Sequence, residues 1–441
     1  MPTAAKRAPI TSWLEKAPQP AFVIYATLAA FSTYFCMYAF RKPFTAGTYE
    51  GQEFGPFTFK NALVLSQLLG YTLSKFIGTK ICSEVTRDRR AVSIVVFIFF
   101  AEAALVLFAL APLQWKVLAI FLNGIPLGMI WGLVVWYLEG RRTSELLLAG
   151  LSASFIVSSG AVKDVGLHVL REWGVSVWWM PAVTGALFLP VLLTSVWLLN
   201  QLPQPALADI VARAEREPMD WRLRQSFVRT FFPGLVLLIG AYFFLTAYRD
   251  FRDNFQREIF LGLGLDNVPG IFTRTETFVA VGVLVALALL FLVRDNRKGL
   301  LGAFAIMLVG VVLMGGSTLL RDSGAISGFW WMSLVGLGSY LAYVPYGSVL
   351  FDRLIASTRV AGTAVFAIYL ADATGYCGSI TVIVYRNFAE SEVSWLDFFR
   401  AFTYFTSVIG IALIAAGGAY FLRRAGQSPA APPLHQQDSS A

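Results

Sequence analysis

Arg41, Lys75 and Arg249 are cations set in stretches otherwise fit for hydrocarbon, YFCMYAFRK (34–42), QLLGYTLSKFIGTK (67–80) and YFFLTAYRD (242–250). An ionisable side chain at membrane depth costs about 2.5–3.5 kcal/mol on insertion scales, so by default it faces a bundle interior or an aqueous cavity and marks a pathway. Three cations converging on one cavity suit an anion. Arginine offers phosphate or carboxylate a planar fork of donors and keeps its charge, whereas lysine acts as a point charge. Tyr38, just before Arg41, and Trp131 are aromatic candidates for the same cavity wall, although lipid-facing aromatics are equally common. The alternative for Arg41 and Arg249, each near the end of its apolar run, is that they extend to the outer interface and pair with nothing.

Acids and further bases lie nearby in sequence. In RDFRDNFQRE (249–258), Arg252 shares the binding role or Asp253 holds Arg249 as an i, i+4 partner. Asp164 lies in SGAVKDVG (159–166) beside Lys163, and Asp372 in IYLADATG (368–375). These acids either relieve repulsion among the cations, with Lys163 a further partner, or carry a proton. Glu139 and Glu145, flanking Arg141 and Arg142, read as gate or loop salt bridges, and Glu102 in FFAEAALV (99–106) has no evident partner.

The elements that position these groups follow from composition. Hydrophobic residues make up 57% of the 441 and charged ones 14%, against roughly 45–50% and about 25% in soluble domains. A helix needs about 20 apolar residues to cross a core about 30 Å thick. Twelve such runs are present, near 20–41, 58–81, 90–111, 115–139, 145–169, 176–199, 229–251, 273–293, 299–320, 328–351, 360–385 and 400–422. Runs such as FVAVGVLVALALLFLV (278–293) are apolar on every side, unlike a soluble amphipathic helix. The expected class is therefore an all-α membrane protein.

Arg41 and Arg249 are 208 residues apart, and the same offset carries Asp164 onto Asp372. This predicts two parallel six-helix repeats, 1–200 and 229–424, joined by a cytoplasmic linker at 201–228 and followed by a disordered tail at 425–441. A short helix is expected at 205–216 in the linker. Lys and Arg gather in the loops that alternation places on the side of both termini, which predicts cytoplasmic termini in an inner or plasma membrane. The net charge of +8 is then topology, and no nucleic-acid partner is implied. The first run is long and lacks an early small-residue cleavage site, so it is expected to stay. Gly124 and Gly128 in FLNGIPLGMIW (121–131) permit close helix approach, with Pro126 allowing a bend. Cys36, Cys82 and Cys377 read as small packing residues. With two histidines, no cysteine pair at ligand spacing and no nucleotide-binding fingerprint, the sequence suggests no enzyme, no metal and no cofactor.

YFCMYAFRKPF (34–44), GYTLSKF (70–76), FLNGIPLGMIW and GTAVFAIYLAD (362–372) together resemble the major facilitator superfamily, and within it the organophosphate:phosphate antiporters. The resemblance implies a transporter working by alternating access as a monomer, with Arg41 matching the family's first-helix phosphate-binding arginine and Lys75 its second-helix lysine. The chain departs from the family in three places. The loop signature after the second helix survives only as GTKICSEVTRDRR (78–90), with Glu84 out of step; Val157 stands near the family's fifth-helix histidine; and Arg249 matches the seventh-helix arginine only after a shift. A divergent branch exchanging a small anionic solute, an organic phosphate against inorganic phosphate, is the resulting expectation. Proton-coupled symport or efflux of another small molecule, and ligand sensing by a transporter-like protein, are the alternatives.

Overall fold

A computed structural model describes residues 9–141, 143–205, 221–358, 364–389 and 392–427, with only the backbone described at Lys75 and a few other helical positions. A short amphipathic helix, α1 (Pro9–Lys16), precedes the first long one, α2 (Gln19–Met37). There follow α3 (Phe59–Glu84), α4 (Arg87–Leu110), α5 (Leu113–Leu138), α6 (Ser144–Arg171) and α7 (Met180–Asn200). The second set comprises α8 (Trp221–Asn254), the short α9 (Gln256–Gly262), α10 (Ile271–Phe291), α11 (Asn296–Asp322), α12 (Gly328–Pro345), α13 (Phe351–Thr358), α14 (Ala364–Phe388) and α15 (Trp395–Gln427). A small antiparallel hairpin, β1 (Glu53–Phe54) and β2 (Phe57–Thr58), leads into α3.

Among the described residues eleven spans are long and apolar enough to cross a membrane, α12 and α13 counting as one; the 26-residue α3 is a further long helix beside them. Large apolar side chains on their outer faces, such as Leu28 at 62%, Leu289 at 61% and Val408 at 69% exposure, point where lipid would be. Only helices that satisfy their own backbone can stand in such surroundings. The chain is a multi-pass, all-α membrane protein.

Two spans break where their chemistry requires it. α2 gives way to a 3₁₀ turn at Tyr38–Phe40 and, after Arg41 and Lys42, to a second at Pro43–Ala46, because Pro43 has no N–H with which to continue a ladder. Pro345 likewise ends α12 in a π turn at Tyr346–Leu350 before α13.

Glycine sets the closest helix pairs. A Cβ on Gly124 of α5 would stand 2.5 Å from the Gln67 carbonyl of α3, so the predicted small-residue face does meet a neighbour. In the second half Gly310 of α11 and Gly338 of α12 face each other, and a Cβ on either would meet the other's carbonyl at 2.5 Å. The two halves touch chiefly where α6 lies along α10 and α3 approaches α14.

Several expectations need adjustment. α8 begins at Trp221, inside the stretch read as linker, while the linker helix expected at 205–216 lies almost wholly outside the described residues. The 208-residue offset does not superpose the acids: Asp164 stands seven residues before the end of Ser144–Arg171, but Asp372 stands sixteen before the end of Ala364–Phe388. Loops of unequal length displace the register between the halves. Cys36 is buried as expected, but Cys377 is exposed, and the side chain of Cys82 lies outside the described residues.

Candidate functional site

Arg41 owes its position to the break after α2. A helix end buried in the bundle leaves carbonyls that must find donors. Here the buried side chains of Asn123 and Gln67 supply them. Asn123 Nδ2 donates to the Phe40 carbonyl at 3.0 Å and Gln67 Nε2 to the Arg41 carbonyl at 2.9 Å. Gln67 also donates to Asn123 Oδ1 at 2.9 Å, and Asn123 to the Ala101 carbonyl of α4 at 3.0 Å, so four segments of the first half converge on this point. The Arg41 guanidinium lies 4.0 Å from the centre of the Tyr71 ring and 5.6 Å from that of Tyr38. Tyr34 packs edge-on to both Tyr38 and Trp131, at 5.7 and 4.9 Å. Arg41 is partly exposed, its Nε has no hydrogen-bond partner, and among the described residues no carboxylate pairs with it.

Across the cleft, Arg249 of α8 is arranged differently. Its guanidinium covers the Tyr343 ring at 4.1 Å, while Nη2 donates to Asp250 Oδ1 at 2.7 Å. Ser379 of α14 donates to the other Asp250 oxygen, also at 2.7 Å. The expected i, i+4 pairing of Arg249 with Asp253 is therefore corrected: the adjacent Asp250 takes that role because Asp253 points into the other half. Asp372 accepts a hydrogen bond from Tyr242 at 2.6 Å, and among the described residues it has no basic partner. Tyr71 of α3 and Tyr376 of α14 meet edge-on at 5.9 Å and bring the two sets of tyrosines together.

Above this cleft, at the end opposite the termini, lies a layer of ion pairs. Asp253 receives Lys42 at 2.5 Å and Lys163 at 2.7 Å, both from the first half, and Ser159 donates to it as well. Lys60 meets Glu258 at 2.5 Å, and Arg171 meets Asp266 at 3.6 Å. Among the described residues every ion pair that joins the two halves belongs to this layer. Asp164 also joins them, without a basic partner: its carboxylate accepts the backbone N–H of Thr273 at 2.7 Å and the Thr273 hydroxyl, in the first turn of α10. A carboxylate there satisfies one of the orphan N–H groups of a helix start and complements its dipole.

The reading of Arg252 as a second binding arginine gives way to a structural role. Its side chain, 2% exposed, is closed within the second half by Glu276 at 2.9 Å and the Met332 carbonyl at 3.0 Å. Lys163 and Asp253 do not line the cleft but tie its far end. Lys42, Lys60, Glu258, Glu276 and Asp250 escaped the sequence reading; alternation of sign in RDFRDNFQRE was the available signal, but not its partners.

Glu139 caps α5 at the end bearing the termini, and Arg141 reaches to the Pro203 carbonyl and the Phe22 ring. Arg142 and the side chains of Glu145 and Lys75 lie outside the described residues. Glu102 packs beside Gly185 of α7, its Oε2 buried without a hydrogen-bond partner. A cavity of about 640 Å³ lies away from all these charges, walled by apolar side chains including Phe54, Phe57, Leu69, Trp115 and Val384. Its apolar lining makes it a lateral groove rather than part of the charged site. Among the described residues no group of three or more His, Cys, Asp or Glu side chains is placed to hold a metal.

Membrane-length helices packed as two halves, with Arg41 and Arg249 between them, are the arrangement of the major facilitator fold. Solved structures agree. The chain superposes on a D-xylose-proton symporter with a TM-score of 0.58 and 16% identity, covering 91% of this chain and 96% of that one. It superposes on a bacterial homologue of the human lysosomal transporter Spinster, inward-facing and unoccupied, with a TM-score of 0.56 and 13% identity over 97% and 100%. The inward-open xylose transporter XylE from E. coli gives 0.57 and 15% over 90% and 95%. No curated protein matches by sequence. Within this fold the chain belongs to a family of unknown function, DUF5690, which it matches over residues 43–424.

Proposed function

We propose that the protein is a secondary transporter that carries a small solute with an anionic group by alternating access, Arg41 binding that group. The observation that carries this reading is Arg41 itself, a partly exposed arginine deep in the bundle, faced by tyrosine rings and by no carboxylate. An unpaired cation in a membrane is costly, and an anionic ligand is the partner that offsets the cost. Arg249 is already satisfied by Asp250, which leaves Arg41 as the group that takes the anion. The fold supports the rocking of two halves about a central site, and the ion-pair layer around Asp253 would be the closed gate of one state. With basic loops facing the cytoplasm, that state is inward-facing, with the termini inside.

The finer reading is exchange of an organic phosphate for inorganic phosphate. Purified protein in phosphate-loaded liposomes would take up external radiolabelled phosphate, and Arg41→Lys, which keeps the charge but loses the fork, would not. Undiminished uptake by that mutant would sink the assignment of Arg41. Absence of uptake by folded, inserted wild type would remove phosphate exchange.

A further inference from the structure

We infer that the solute is a zwitterion, an oxyanion seated at Arg41 and carrying a protonated amine that is seated at Asp372. This rests on the anion reading above and narrows it to a substrate class.

The described charges of the cleft do not form a uniformly positive site. Two cations, Arg41 and Arg249, face two carboxylates, Asp250 and Asp372. Asp250 has both oxygens engaged, one by Arg249 and one by Ser379, so that pair is already complete. Among the described side chains of the cleft, what remains is one unpaired cation in the first half, Arg41, and one carboxylate in the second, Asp372, whose described partner is a single tyrosine hydroxyl. A purely anionic ligand would satisfy Arg41 while meeting the field of Asp372, and a purely cationic one would do the reverse. A molecule with both charges satisfies both poles at once, which is the electrostatic complementarity that selects partners and rejects their analogues.

The surroundings of Asp372 fit an amine. Asp372, Tyr376 and Ser379 recur at i, i+4 and i+7 of α14 and share one face of that helix. Tyr376 meets Tyr71, the ring under Arg41, while Tyr242, which donates to Asp372, stacks on Tyr343 at 5.1 Å. Tyrosine rings therefore run from Arg41 to Asp372. Aromatic faces attract ammonium groups, and a carboxylate adds a charge-assisted hydrogen bond.

The test is binding to purified protein in nanodiscs, measured by calorimetry with four probes: ethanolamine phosphate, glycerol phosphate, inorganic phosphate and the amino-carboxylate β-alanine. Ethanolamine phosphate is expected to bind about ten-fold more tightly than glycerol phosphate. β-Alanine in place of ethanolamine phosphate as the tighter ligand would still support the zwitterion and assign the oxyanion as carboxylate. Asp372→Asn, close in shape, should bring the amine preference down to about one by weakening only the amine-bearing probes, and Arg41→Lys should weaken all four.

If glycerol phosphate binds wild type as well as ethanolamine phosphate, with β-alanine silent, the zwitterion falls and the anion reading stands. The zwitterion also falls if the preference survives in Asp372→Asn, including the case in which that mutant loses only a pH dependence of uptake and Asp372 proves a proton carrier. Silence of all four probes with folded wild type, or indifference to Arg41→Lys, overturns both readings. Should Asp372→Asn fail to fold, Asp372→Glu and the wild-type probe ratio decide.

Discussion

Lys42 Nζ and Asp253 Oδ2 stand 2.5 Å apart across the boundary between the halves, and Asp253 takes Lys163 on its other oxygen. One carboxylate from the second half thus neutralises two lysines of the first, both almost fully buried. Removing one member of a buried pair costs about 3–5 kcal/mol because its partner is left uncompensated. Asp253→Asn is therefore expected to open this end of the bundle. A cysteine placed at Ser159, which also touches Asp253, should become reactive to a membrane-impermeant maleimide in the Asp253→Asn background. Equal labelling with and without the mutation would show that the ion pairs do not hold the gate.

The same contact predicts a pH response. Lys42, in the connection after the first span, is brought down from 10.5 to about 8 by burial, with the Asp253 carboxylate pulling the other way. Where the gate opens and Lys42 meets water, its value returns to about 10.4. Between these two values the sealed state binds fewer protons than the open one, so raising the pH favours sealing; below about 8 both states are protonated and the bias disappears. Labelling at the gate should fall as pH rises from about 8 to 10, after correction with an exposed control cysteine. Lys42→Met should flatten the response.

Asn123 acts on the site through Arg41. Asn123→Ala leaves the Phe40 carbonyl without its donor, at about 1–3 kcal/mol for a buried group made unsatisfied. The expected result is lower thermal stability together with a several-fold rise in KM for uptake, as the Arg41 backbone loses its anchor. A fall in stability with KM unchanged would reduce Asn123 to a packing role.

Gly310 and Gly316 lie on the same helix and separate close approach from propensity. A Cβ at Gly310 meets the Gly338 carbonyl at 2.5 Å, whereas one at Gly316 meets nothing within 4 Å. Gly310→Ala should destabilise by about 1–3 kcal/mol through overpacking. Gly316→Ala should be neutral or stabilising by up to about 1 kcal/mol, since alanine favours helix. Melting temperatures in detergent would rank the two, and the opposite order would remove the close contact of α11 with α12.

Glycine patterns mark where helices can approach, yet only Gly124 and Gly128 were legible, because their four-residue spacing lies within one helix. Gly310 and Gly338 sit on different helices and carry no such signal. Charge gave a similar mixture. Arg41 and Arg249 stand out because a cation in an apolar run is conspicuous wherever it falls. Arg252 and Asp253 are equally conspicuous, but the sequence does not show that one is closed within its own half by Glu276 while the other, engaged by Lys42 and Lys163, ties the two halves together.

The sequence by itself determined that the chain crosses a membrane about twelve times and keeps arginines at depth, since hydrocarbon imposes length and apolarity on every span independently of its neighbours. Only the tertiary structure decided which of those charges are free. That Asp250 rather than Asp253 satisfies Arg249, that Asp164 caps a helix of the other half, and that Arg41 and Asp372 keep no partner of opposite charge among the described residues are facts of pairing. Pairing depends on distances between segments a hundred or more residues apart, which a one-dimensional pattern of charges does not specify.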